Sequence, residues 1–135
     1  MGEVEAPYVI SIEAGYARFA PRGFLTIPLL VAGLEQAMLQ CQQLGQTRLL
    51  FDMRRMEHPP FSTTDRYDLS HAPAEFWDRS ILLAAVARPE QLDPDRFAQK
   101  VAANRGLFVG AYVDEKEAIE WLLRPRGPDA LKSGA

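Results

Sequence analysis

Apolar and polar residues alternate from residue 8 to residue 13, the period of a half-buried strand, and Gly15 opens a second run through Tyr16, Arg18 and Phe19. The short Ala14-Gly15 connection predicts an antiparallel hairpin. After the Arg22-Gly23 turn the period changes. Ile27, Leu30, Val31, Leu34, Ala37, Met38 and Cys41 recur at the spacing of one helical face. Thr26 is placed to cap that helix, with Leu25 and Leu30 as a hydrophobic staple, Pro28 in the first turn and Gly45 as the stop.

From there strand and helix patterns alternate. Residues 48–53 are apolar until Asp52, and residues 54–61 form a loop containing Pro59-Pro60. Ser62-Thr63-Thr64-Asp65 is a helix start with Ser62 as N-cap, and Pro73 predicts a kink or restart that 74–77 continue. Residues 81–87 are seven apolar residues in a row, the pattern of a strand buried on both faces. Asp93 and Pro94 open a further helix, stapled by Leu92 and Phe97 and ended by Asn104-Arg105-Gly106. Residues 107–113 are apolar, and Asp114-Glu115-Lys116-Glu117 forms a capping box before Ala118, Ile119 and Leu122.

Continuous apolar strands joined by helices require a parallel sheet with right-handed crossovers. The fold class is α/β: a single-domain mixed sheet of about five strands, mostly parallel with one antiparallel edge strand, and about four helices. The domain is expected over residues 1–123, with a flexible C-terminal tail at 124–135 that contains Pro125, Gly127, Pro128 and Gly134.

A chain of 135 residues builds one hydrophobic core, and its 47% hydrophobic content requires no disulfide or metal to fold. A single cysteine, Cys41, fits a reducing compartment, and the acidic N-terminus lacks a secretory signal, so a cytoplasmic location is expected. The net charge of -3, with both signs interspersed, argues against nucleic-acid binding, and no segment has the apolar length of a membrane span.

The pattern resembles the SpoIIAA-like proteins, a small STAS-related family also likened to the SEC14 (CRAL-TRIO) fold. Four stretches carry the resemblance. They are Gly23-Phe24-Leu25-Thr26; residues 48–54 with 62–67; Asp93-Pro94-Asp95-Arg96-Phe97 with Asn104-Arg105-Gly106; and residues 114–122. The resemblance implies a sheet whose strands lie in chain order. True anti-sigma-factor antagonists carry a phosphorylation switch at the start of the helix after the third strand, as an Asp-Ser-Ser-Gly type motif. Here that place holds Ser62 and Thr63 without the motif, so these two hydroxyls are both capping residues and the candidates for phosphorylation.

Ligands of open α/β sheets bind outside the carboxyl ends of the strands. Arg54 and His58 come after the third core strand and Arg88 after the fourth, while Ser62 and Thr63 start a helix on the same side. Arg54 or Arg88 with the helix N-terminus would suit an anionic group. No metal set, nucleophile elbow, phosphate loop or dinucleotide fingerprint is present, so no cofactor or catalytic residue is assigned. The expected function is a non-enzymatic STAS-like module that docks a protein partner or itself as a homodimer, with Phe19, Phe24 and Leu25 at the contact. The alternative is a carrier of a small apolar or lipid-like ligand.

Overall fold

A computed structural model of the protein describes residues 8–58, 61–91 and 109–125. The elements are β1 (Tyr8–Ile12), β2 (Ala17–Pro21), β3 (Gly23–Phe24), α1 (Ile27–Leu44), β4 (Arg48–Asp52), β5 (Met56–Glu57), α2 (Thr63–Phe76), β6 (Leu82–Val86), β7 (Val109–Tyr112) and α3 (Glu115–Leu123). A 3-10 turn, Pro89–Gln91, comes after β6. The expected helix from Asp93 to Gly106 lies outside the described residues, as does the tail beyond Pro125.

The five-stranded sheet has the order β1-β2-β4-β6-β7, and only β1 and β2 pair antiparallel. This is the mixed α/β sheet that the sequence predicts. Its strands lie in chain order because each crossover places the next strand beside the last. The chain adds a feature that the sequence pattern does not announce: β3 and β5 form a separate two-stranded parallel ribbon, Gly23 opposite Met56 and Phe24 opposite Glu57. Gly23 adopts φ 77°, a left-handed conformation open to glycine at no steric cost, and its N–H donates to the Arg55 carbonyl at 3.2 Å.

Alternation sorts the strand residues onto two faces. Ala17, Phe19, Leu49, Phe51 and Ala85 face α1 and α2, where Leu30, Leu34, Ala37, Met38 and Cys41 supply the buried helical stripe. Phe19 and Phe51 stack with ring centroids 5.4 Å apart. Each fully buried side chain of this size contributes about 1.5–3 kcal/mol through area removed from water. Leu50, Leu82, Ala84 and Val86 face the other way, against Ala118 and Leu122 of α3.

The termini obey their caps. The Thr26 hydroxyl accepts from Leu29 N–H, while Gly45 at φ 69° and the Gln46 N–H bond back to the last turn of α1. Asp114 accepts from Lys116 N–H at the start of α3. Helix α2 is one segment through Pro73, where the sequence predicts a break. The helix therefore continues beyond the proline to Phe76, and Leu69 and Phe76, on either side of it, both pack against the core. The Trp77 indole then donates to the Ile81 carbonyl at 3.0 Å and fixes the approach to β6.

Candidate functional site

Strands β2, β4, β6 and β7 point toward the same edge of the sheet, so the segments that succeed them gather there. These are β3 with the start of α1, residues 53–58 with the start of α2, the 3-10 turn, and the start of α3. Arg54, His58, Ser62, Thr63 and Arg88 all belong to these segments.

The turn after β6 is the centre of one network. Arg88 donates through Nη1 to the carbonyls of Arg54 and Met56, the latter at 3.1 Å, and through Nε to Glu90 at 2.7 Å. Gln91 is buried. Its Oε1 accepts from the Arg88 N–H at 2.8 Å, its Nε2 donates to the Met53 carbonyl at 2.9 Å, and the same Nε2 lies 2.9 Å from His58 Nε2. The His58 ring stacks on Phe61 with centroids 4.0 Å apart and planes within 3°. Phe61 immediately precedes Ser62, whose hydroxyl accepts from Asp65 N–H while the Asp65 carboxylate accepts from Ser62 N–H, each at 3.0 Å. Ser62 and Thr63 are exposed. The structure thus links Arg88, His58 and the start of α2 through Gln91 and Phe61, neither of which stood out as a site residue in the sequence. A glutamine that is buried while its neighbours Pro89 and Glu90 are exposed has no signature in hydropathy alone.

The Arg54 guanidinium turns to the other face of the sheet. It grips Asp52 through Nε and Nη2, both at 2.9 Å, and also bonds Glu115 at the start of α3. Arg18 from β2 completes the quartet, 3.3 Å from Asp52 and 3.2 Å from Glu115. Arg18 and Asp52 face α3 because each lies one residue away in register from the buried Phe19 and Phe51. Burial disfavours the charged form of Asp52, but the hydrogen bonds and charge of Arg54, with Arg18, outweigh it and hold the carboxyl below its ordinary value. Arg18, then Arg54, depress Glu115 in the same way. Asp52 is therefore a committed ion-pair partner, and the structure gives His58 to Gln91 and Phe61 rather than to Asp52.

Elsewhere, His71 bonds Glu75 one helical turn on, at 3.2 Å, and stacks on Tyr67. Burial pushes the Cys41 thiol up to about 11, which keeps it protonated at neutral pH. Among the described residues no three His, Cys, Asp or Glu side chains are placed to hold a metal ion, and no helix is long and apolar enough to cross a membrane.

The apolar contact residues divide. Phe19 and Leu25 are core residues, 0% and 5% exposed, which corrects the expectation that they reach a partner. Phe19 points inward because its strand register places it between α1 and Phe51. Phe24 is 66% exposed in β3, and Leu29, one turn into α1, is 52% exposed. Nor is the second face left bare. Helix α3 covers β4, β6 and β7 there, and the strip beyond it carries Arg18 and Ser11, which are register partners.

No protein family defined from sequence matches this chain, and no curated protein does. Solved structures do. An anti-sigma factor antagonist from Mycobacterium paratuberculosis superposes with a TM-score of 0.57 at 16% identity, over 90% of this chain and 100% of that one. An uncharacterized DUF3478-family protein with a SpoIIAA-like fold, from Shewanella loihica PV-4, gives 0.50 at 18% identity, over 90% and 98%. The fold is SpoIIAA-like. The STAS-type resemblance read from the sequence therefore holds at the level of architecture, and neither structure speaks for the SEC14 likeness.

Proposed function

We propose that this chain is a non-enzymatic, STAS-like regulatory module that docks a protein through the edge at which β2, β4 and β6 end. The exposure of Phe24 and Leu29 carries the proposal. Two large apolar side chains flank the Thr26 cap, Phe24 on the ribbon β3–β5 and Leu29 in the first turn of α1. Such side chains gain most when a partner removes them from water.

The charges at the same edge support a protein over a small anion. An anionic ligand at Arg54 would have to draw it from Asp52 and Glu115, and one at Arg88 would have to draw it from two carbonyls and Glu90. Docking on Phe24 and Leu29 displaces only water. The likeness to a structure described as an anti-sigma factor antagonist agrees with a protein as the target. Ser62 and Thr63 are the hydroxyls at which phosphorylation would act, because a phosphate on Ser62 would lie against the Asp65 carboxylate and open the capping box. The module works in the cytoplasm, with Cys41 as a buried apolar residue.

Affinity capture with purified protein tests this directly, comparing wild type with Phe24→Thr. Threonine keeps the β-branched preference of a strand but removes the ring. Its thermal stability should stay within about 0.5 kcal/mol of wild type. A partner, or a second copy seen by sedimentation, should be held by wild type and lost at least tenfold in affinity by the variant. Equal retention by both forms, or turnover of a substrate at this edge, would overturn the proposal.

A further inference from the structure

We propose that His58 and Gln91 form a proton-sensitive latch that joins the segment leading into α2 to the turn after β6. Hydrogen-bond polarity assigns it. Gln91 Oε1 accepts from a backbone N–H, that of Arg88 at 2.8 Å, and an N–H can only donate. The amide orientation is therefore fixed, and Nε2 is confirmed as the donor by its bond to the Met53 carbonyl at 2.9 Å. The second hydrogen of that NH2 group meets His58 Nε2 at 2.9 Å. His58 Nε2 must accept, so the imidazole is neutral and carries its proton on Nδ1.

A second proton on His58 would set N–H against N–H. The buried Gln91 amide would then lose one acceptor. Neutral His58 is tied to β4 through Gln91 and Met53, and to α2 through its stack on Phe61 and the adjoining Ser62 cap. Breaking the first tie frees the ring and Phe61 to move together, which loosens the first turn of α2. Charged groups near the ring include Arg88 and Glu90 of the turn, paired at 2.7 Å, and Glu57 of β5 precedes His58 in the chain. Glu90 would attract an imidazolium here, but its carboxylate is already held by Arg88 Nε. Phe61, on the α2 side, is apolar. The latch stands on hydrogen-bond geometry and is independent of the docking proposal.

Nitrogen-15 NMR of the full chain tests it, titrated from about pH 8 to about pH 5, the range in which imidazole changes charge. At the upper end His58 should show a protonated Nδ1 and an unprotonated Nε2. On acidification, the Gln91 side-chain amide and the backbone amides of Phe61 and Ser62 should shift with the same midpoint as the His58 ring. Exchange protection in the first turn of α2 should fall about fivefold, the equivalent of one ordinary hydrogen bond. His58→Gln supplies an amide oxygen as a permanent acceptor, and should abolish both the shifts and the loss of protection. His71, the other histidine, serves as the internal control, since its titration should leave Gln91 unmoved. An Nε2-protonated ring near pH 8, Gln91 resonances that ignore the His58 titration, or an unchanged response in His58→Gln would each overturn the proposal.

Discussion

Single side chains set the balance at the sheet edge, and Asp52 shows how. It ends an apolar strand, yet it is buried, because Arg18 and Arg54 reach it from neighbouring positions on the same face. Removing one partner of such a group leaves buried charge uncompensated. Asp52→Asn should cost about 2 kcal/mol in urea unfolding at neutral pH, the order expected for hydrogen bonds to a charged group. The pH dependence has a defined sign. The carboxyls of Asp52 and Glu115 are depressed in the folded state, so their stabilisation is complete above their ordinary values and is lost as pH falls through the folded ones. Wild-type stability should therefore decline below about pH 4, and more steeply than that of Asp52→Asn. Parallel curves for the two proteins would show that the quartet does not govern acid sensitivity.

Elements meet where their surfaces fit, and the contact of α3 with β7 depends on Gly110. A Cβ at that position would lie 2.9 Å from Trp121 Cδ2 and 3.0 Å from a Tyr112 ring carbon. Gly110→Ala should destabilise the protein by about 1–3 kcal/mol through overpacking, with a change in the near-ultraviolet circular dichroism of Trp121. An unchanged spectrum and midpoint would contradict this packing. Most of this level was legible in the sequence. The period-2 run of residues 8–13, the stripe from Ile27 to Cys41 and the apolar block 81–87 each determine an element almost alone, since burial and periodicity are encoded locally. The β3–β5 ribbon was not legible, because two-residue strands have no period. Pro73 left a kink or a restart open in the sequence, and the helix runs on to Phe76, with Leu69 and Phe76 packed on the core on either side of the proline.

At the scale of the molecule, the parallel arrangement gathers four strand ends, and the segments leading away from them, at one edge. The chemistry at that surface was only partly legible. Arg54, His58, Ser62, Thr63 and Arg88 could be placed there from strand direction alone. Each guanidinium is engaged in part by a carboxylate two residues away, Arg54 by Asp52 and Arg88 by Glu90, but the contacts that complete the network, such as Arg18 with Asp52 and with Glu115, join distant residues and no sequence spacing reveals those. Phe24 and Leu25 show the same limit, since adjacent apolar residues of similar hydropathy go one to solvent and one to the core. The most direct measurement is hydrogen exchange across the backbone in the free and partner-bound protein, at a concentration that saturates the complex. Binding should increase protection at β3, β5 and the first turns of α1 and α2, and leave α3 and β7 unchanged. Protection confined to α3 or β7, or spread evenly over the sheet, would contradict docking at the edge where β2, β4 and β6 end.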